Sequence, residues 1–243
     1  MMAGKQAGDD SRAEDGKQVG KKGTRVAVII PAYNEGQTIG QVVKAVLRCP
    51  LVDEVVVVDD GSSDRTTDEA KNAGARVIRN EHNLGKGGAM LVGARATEAG
   101  LLVFIDADLV GLDPENVTAL VEPVLGGAAD MSRGLFAAGR LTTDLALKLA
   151  PFLSGQRALW RKDFLAIPDV ADSRYGVEVA ITRFYGEPGR RVVDVPFPGV
   201  SQVMKEEKMG FARGVTARLG MYGDIVRSFA GRHGLRRQGN KGR

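Results

Sequence analysis

Cysteine is nearly missing from this chain. Cys49 is the only one in 243 residues, which excludes an internal disulfide and suits a reducing, cytoplasmic setting. Long apolar runs are missing as well. None approaches the ~18 residues that a membrane-crossing helix needs. No apolar stretch follows the charges at the N-terminus, so neither a transmembrane helix nor a signal peptide is expected. Aromatic residues make up only 5%, and 34 Lys and Arg against 30 Asp and Glu leave a net charge of +4, much of it at the two ends. Scattered basic residues without aromatic platforms leave no footprint for nucleic acid. Histidine is confined to His82 and His233, and neither lies beside the acidic motifs that follow.

What is present is 43% hydrophobic and 26% charged, ordinary for a globular chain long enough for a sizeable core. Residues 1–24 carry almost nothing apolar and cannot offset the entropy of ordering, so they are expected to form a disordered tail. Lys21, Lys22 and Arg25 could touch an anionic surface, but a solvated tail is the preferred expectation. From residue 26 the pattern turns regular. Strands are predicted over 26–30, 54–58, 76–78 and 101–105, each followed by a polar or glycine-rich stretch. Helices are predicted over 38–48, from Ser63 or Asp64 as cap to Ala73 with Gly74 as stop, and from the 83–88 stretch to about Ala99. This alternation argues for an α/β, mostly parallel, Rossmann-like sheet flanked by helices. Ligands of such sheets bind just past the carboxyl ends of the strands.

Beyond residue 110 the pattern loosens. A helix is predicted over 114–125, a strand over 129–136, a turn at 137–140, a helix over 142–149, a loop at 154–157 before residues 158–161, and a strand at 192–195. A further helix over 175–185 would turn Val177, Ala180, Ile181 and Phe184 inward. Residues 206–230 read as a basic amphipathic C-terminal helix, and 231–243 as a basic tail. With no repeat and no second core, the expectation is one domain over 25–230, with a donor half at 25–110 and an acceptor half at 111–230.

The stretch Leu101-Leu102-Val103-Phe104-Ile105-Asp106-Ala107-Asp108 runs five apolar residues into two carboxylates. An apolar run without alternation is a strand buried on both faces. Two carboxylates so close repel unless a cation is shared, and Mg²⁺ or Mn²⁺ suits oxygen ligands that leave room for phosphate. Asp60-Gly61-Ser62-Ser63-Asp64 follows a strand ending in Asp59, a polar pocket able to meet a uracil edge or a ribose. Pro31-Ala32-Tyr33-Asn34-Glu35 adds an aromatic face and another acid. Lys86 lies in the glycine-rich start of a helix, where amides and dipole favour anions, although the P-loop spacing is absent.

As a set, Pro31-Ala32-Tyr33-Asn34-Glu35, Val58-Asp59-Asp60-Gly61-Ser62-Ser63-Asp64, Asn83-Leu84-Gly85-Lys86-Gly87 and Asp106-Ala107-Asp108 resemble the ordered motifs of GT-A glycosyltransferases of the family 2 type. That resemblance covers residues 25–110 and implies the GT-A fold, a nucleotide-diphosphate sugar donor and a divalent metal. It implies that Pro31, Ala32, Tyr33, Glu35, Asp60 and Ser62 bind the donor, chiefly its nucleoside. Lys86 would lie near the diphosphate or the base, Asp106 and Ala107 near ribose and sugar, and Asp108 on the metal.

Gly139-Arg140-Leu141-Thr142, Leu153-Ser154-Gly155-Gln156 and Tyr175-Gly176-Val177-Glu178 further resemble segments of glucosyl-3-phosphoglycerate synthases. This implies UDP-glucose as donor, 3-phosphoglycerate as a small anionic acceptor, and acceptor binding by Gly139, Arg140, Leu141 and Thr142. An arginine and a hydroxyl suit such an acceptor by their own chemistry. Glu178 is the candidate acceptor-side carboxylate, a base if the reaction inverts and a positioning group if it retains. Two departures stand out. Those synthases are longer, and they carry a metal-binding histidine where this chain reads Pro198-Gly199-Val200-Ser201-Gln202, so the amide of Gln202 is the expected stand-in.

Two rivals share part of this pattern. A polyprenyl-phosphate glycosyltransferase, similar to dolichyl-phosphate mannose synthase, would lay the C-terminal helix on a membrane and meet a lipid phosphate. A packed terminal helix has the same pattern. A non-catalytic nucleotide-sugar-binding protein is the other, disfavoured by the intact Asp106, Asp108 and Lys86. The resemblance also leaves room for a homodimer.

Overall fold

The computed structural model describes residues 23–136, 154–168, 170 and 176–202. The chain begins with β1 (Val26–Ala32), α1 (Ile39–Leu47), β2 (Glu54–Asp59), α2 (Thr66–Asn72), β3 (Arg76–Arg79), α3 (Gly85–Arg95) and β4 (Leu101–Phe104). It continues with β5 (Leu109–Val110), α4 (Pro114–Leu125), β6 (Met131–Phe136), β7 (Arg157–Trp160), α5 (Arg161–Ala166), α6 (Val177–Tyr185), β8 (Val192–Phe197) and β9 (Ser201–Gln202).

Seven strands form one sheet in the order β3-β2-β1-β4-β7-β6-β8, and β5 pairs with β9 beside it. β1 pairs parallel with β2 and β4, β2 with β3, and β6 with β8, so β7 alone runs against the other six. The sheet is the mostly parallel, helix-flanked one that the alternation predicts. Apolar side chains cover both faces. Val28, Ile30, Val57 and Val103 point into a core under α1 and α4, while Ala27, Ile29, Val56 and Phe104 point into one under α3 and α6. Burial on both sides is why these strands show no alternation. α3 lies close on the sheet because Gly93 has no side chain: a Cβ there would stand 2.4 Å from Ile29 Cγ2.

Several boundaries differ from the sequence pattern for local reasons. α3 ends at Arg95 rather than near Ala99. The Thr97 hydroxyl accepts from the Ala99 amide and donates to Glu54, which favours a turn over another helical turn. α2 starts at Thr66 with Arg65 at its cap position, not Ser63 or Asp64, yet Asp64 Oδ1 still accepts from the Thr66 amide at 3.0 Å. Gly74 follows α2 as expected. Arg157 belongs to strand β7, not to the loop before it, and α5 has no counterpart in the sequence pattern. β8 continues through Pro196 to Phe197, which an edge strand tolerates because one side of it needs no donor. In α6 the fully inward positions are Val177, Ile181 and Tyr185, with Ala180 and Phe184 only partly covered. Among the described residues no helix is long and apolar enough to cross a membrane. The tail at 1–22, the helix over 142–149 and the C-terminal helix lie outside the described residues.

Candidate active site

Every parallel strand of the sheet releases its chain at one edge, and β7, running the other way, enters from that edge. The loops after β1 and β2 are tied to each other there. The Asn34 amide donates to Ser62 Oγ at 2.9 Å, the Ser63 amide to Asn34 Oδ1 at 2.9 Å, and the Glu35 amide to Thr66 Oγ1 at 2.8 Å. Asn34 accepts a left-handed conformation, φ 56°, to do this, a region that asparagine tolerates better than other side chains. Ala32 closes the latch by accepting from the Asp60 amide at 2.8 Å. Beneath it, buried Asp59 accepts from the Ser62 amide and the Thr67 hydroxyl. Pro31 is the sixth residue of β1, Glu35 is half-buried, and Tyr33 stands 51% exposed at the rim.

Asp60 binds the next element. Its Oδ1 accepts from Asn80 Nδ2 and the Leu84 amide, and its Oδ2 from the Gly85 amide, all at 2.8 Å. Leu84 and Gly85 open α3, so the anion satisfying this helix N-terminus is the chain's own carboxylate. The sequence pattern left those amides for a phosphate; two of them are already taken.

Lys86, the second residue of α3, reaches across to two carboxylates. Its Nζ lies 2.6 Å from Asp106 Oδ1 and 2.6 Å from Glu178 Oε1. Burial works against the ammonium, but the Asp106 and Glu178 carboxylates outweigh it and hold the group above the ordinary lysine range. Lys86 and Asp106 come from the β1–β4 part of the chain, and Glu178 from the first turn of α6, beyond residue 110. The three therefore join two halves of the chain at one ammonium.

The loop before β7 supports Asp106. Gln156, fully buried, donates from Nε2 to Asp106 Oδ2 at 2.8 Å. Gly155 lies directly against the same carboxylate: a Cβ there would stand 2.3 Å from Asp106 Oδ2, closer than any side chain can sit. The resemblance includes both residues, but only the structure shows what they touch. Fully buried Arg157 follows, donating from Nε to the Ser154 carbonyl at 2.8 Å and from Nη1 to Thr182 Oγ1 at 2.9 Å. No signal in the sequence marked it, since an arginine starting a strand looks like a surface residue.

Asp108 and Gln202 meet through backbone pairing. β5 starts one residue after Asp108, and Leu109 pairs with Gln202 in register. Gln202 Nε2 then lies 2.9 Å from Asp106 Oδ2 and 3.4 Å from Asp108 Oδ1. Buried Ala107 sits between the two acids. Among the described residues no group of three or more His, Cys, Asp or Glu side chains could hold a metal ion. The donor set here is different in kind: two carboxylates and a side-chain amide, whose oxygen replaces its nitrogen by a half-turn. Oxygen donors in that number fit Mg²⁺ or Mn²⁺, which keep positions for water and phosphate. Gly139, Arg140, Leu141 and Thr142 lie outside the described residues; β6 ends at this edge with Phe136, and Ser154 lies at it as well.

The model of the glycosyl transferase family 2 matches residues 27–174, which hold every one of these groups except Glu178, Thr182 and Gln202. Glucosyl-3-phosphoglycerate synthase of Mycobacterium tuberculosis (strain CDC 1551 / Oshkosh) is 32% identical over 202 residues, 68% of this chain and 61% of that one. The enzyme of the same name from Mycolicibacterium smegmatis is 38% identical over 117 residues, 44% of this chain and 39% of that one. The matches thus span less than two thirds of these relatives. Among solved structures, the M. tuberculosis enzyme in complex with Mn²⁺, uridine diphosphate and phosphoglyceric acid is similar with a TM-score of 0.65 at 30% identity, over 81% of this chain and 78% of that one. Its complex with Mg²⁺ and uridine diphosphate gives 0.64 at 29%, over 83% and 80%.

Proposed function

The chain belongs to glycosyl transferase family 2, and on that premise we propose that it moves glucose from UDP-glucose to a small phosphorylated acceptor such as 3-phosphoglycerate, with Mg²⁺ or Mn²⁺. The observation that carries this is Lys86, held at 2.6 Å between a donor-half and an acceptor-half carboxylate. A group that bridges these two parts of the chain supports a meeting of donor and acceptor beside it. The solved M. tuberculosis complexes, which contain uridine diphosphate, metal and phosphoglyceric acid, support the choice of ligands.

In this reading the latched loops make the nucleoside end. Tyr33 offers its exposed ring and Glu35 its carboxylate, while Pro31, Ala32 and Ser62 shape the floor. Asp60 acts mainly by fixing the start of α3, which aims Lys86. Asp108 and Gln202 would hold the metal, and Asp106 with Ala107 would lie along ribose and sugar. A bound divalent cation supplies charge neutralisation at the leaving diphosphate. Lys86 adds a second cation there as it exchanges a carboxylate for phosphate oxygen. Glu178 then faces the acceptor with one partner fewer, free to orient its hydroxyl or take its proton. Gly139, Arg140, Leu141 and Thr142 receive the acceptor, the Arg140 guanidinium pairing with phosphate through two parallel bonds.

The test is release of UDP from UDP-glucose with Mn²⁺, with and without 3-phosphoglycerate. Acceptor-dependent release is expected, and Glu178→Gln should lower kcat by about 10²-fold. Metal-dependent release indifferent to 3-phosphoglycerate would reject this acceptor and move the search to lipid phosphates. No release from any nucleotide sugar would leave a binding protein. The anomeric configuration of the product, read by NMR, separates a base role for Glu178 from a positioning one.

A further inference from the structure

Arg157 takes no part in the chemistry above, yet it is fully buried beside it. Its two named hydrogen bonds go to different elements. Nε holds the Ser154 carbonyl, in the loop whose Gly155 and Gln156 rest on Asp106. Nη1 holds the Thr182 hydroxyl on α6, one helical turn beyond Glu178 and on the same face. The contacts close a ring: Arg157 to Thr182, α6 to Glu178, Glu178 to Lys86, Lys86 to Asp106, Asp106 to Gln156, and back along the chain.

We propose that Arg157 is a positioning residue of the transfer reaction, setting the spacing between the donor-side carboxylate Asp106 and the acceptor-side carboxylate Glu178. The proposal rests on the function proposed above. When Lys86 exchanges Glu178 for the donor's diphosphate, the link from α6 to the Asp106 loop runs through Arg157 alone in this ring. Its charge matters as well as its bonds. Burial lowers the guanidinium to about 10, so it stays ionised at neutral pH, and Glu178 and Asp106 are the opposite charges acting on it most. Arg157 thus remains a cation behind both acids while Lys86 is engaged elsewhere. Arg133 acts against that charge and Asp194 with it, and the two pair with each other at 2.7 Å.

A purely structural buried arginine would change stability and leave the split between kcat and KM untouched. The experiment compares Arg157→Met, Arg157→Lys, Thr182→Val and Thr182→Ser with wild type in donor turnover. Arg157→Met should lower kcat by about 10²-fold with donor KM within about threefold, the loss expected of misplaced reacting groups. Arg157→Lys, keeping the charge, should recover about tenfold of that loss. Thr182→Val should lower kcat about fivefold and Thr182→Ser restore it, a contrast that holds the proposal to account even if Arg157→Met does not fold. Wild-type kcat in Thr182→Val, or a loss confined to donor KM, overturns the inference and leaves the transferase reading standing. Crystal structures of wild type and Thr182→Val judge it without turnover. The Glu178–Lys86 contact should open in the variant, and an unchanged contact overturns the inference even if no donor is ever turned over.

Discussion

The two halves of this molecule reach one site by different means. From β1 to β4 the chain repeats strand, helix and strand in parallel order, and each chemical group follows a strand end within a few residues. From β6 onward the order is broken. β7 is inserted against the direction of the sheet, and Glu178 comes from a helix start and Gln202 from a two-residue strand. Position along a strand delivers Asp60, Asp106 and Asp108. Contacts distant in sequence deliver Gln156, Glu178 and Gln202. The first kind of placement survives substitutions nearby, because the whole sheet enforces it; the second hangs on single residues.

The largest expected effect tests the strand-end kind. Asp108→Ala removes a group that the sheet places and nothing else replaces, so kcat/KM should fall by about 10³-fold, measured as UDP release. A loss under tenfold would put the metal elsewhere. Gly155→Ala tests the other kind. A methyl group at 2.3 Å from Asp106 Oδ2 must move that carboxylate or the loop, and a shift near 1 Å should cost up to about 10²-fold in kcat. Normal kcat in a folded Gly155→Ala protein would show that the loop before β7 does not set Asp106.

Smaller effects sharpen the contrast. Gln202→Ala should raise the Mn²⁺ concentration for half-maximal turnover about tenfold while leaving kcat at saturating metal within about threefold. An unchanged metal requirement would remove Gln202 from the metal site. The smallest effect is one of pH. Asp106 and Glu178 raise the Lys86 ammonium above its ordinary value despite burial. Its contribution to stability is therefore complete below the unfolded lysine value near 10.4 and declines only as pH rises through the higher folded one. Thermal midpoints of wild type and Lys86→Met should differ by a constant amount between pH 7 and pH 9; a gap that closes within that window contradicts the pairing.

This contrast also explains what could be read from the sequence. The parallel sheet, its site-bearing edge and the acids at 106 and 108 follow from local rules, because buried parallel strands and the polar turns after them are contiguous in the chain. Asp60 was legible as a candidate for the site, but its attachment to α3 was not, because Asn80 and the Leu84 and Gly85 amides lie beyond another helix and strand. Glu178 was reachable through resemblance alone, since a glutamate in a first helical turn is common on surfaces. Arg157 was out of reach: its burial depends on a strand direction that no local pattern encodes.

The pairing of β5 with β9 has a consequence for how the protein is made. The ties at the strand ends, Asn34 to Ser62 and Asp60 to Leu84, join residues 28 and 24 positions apart. Asp108 and Gln202 are 94 positions apart. Closing the longer loop costs about 1 kcal/mol more in chain entropy, and during synthesis it must wait until Gln202 has left the ribosome. The latch between the loops after β1 and β2 can thus take shape on a nascent chain that still lacks the Asp108–Gln202 contact. Bringing Gln202 to Asp108 then rests on a two-residue antiparallel pairing.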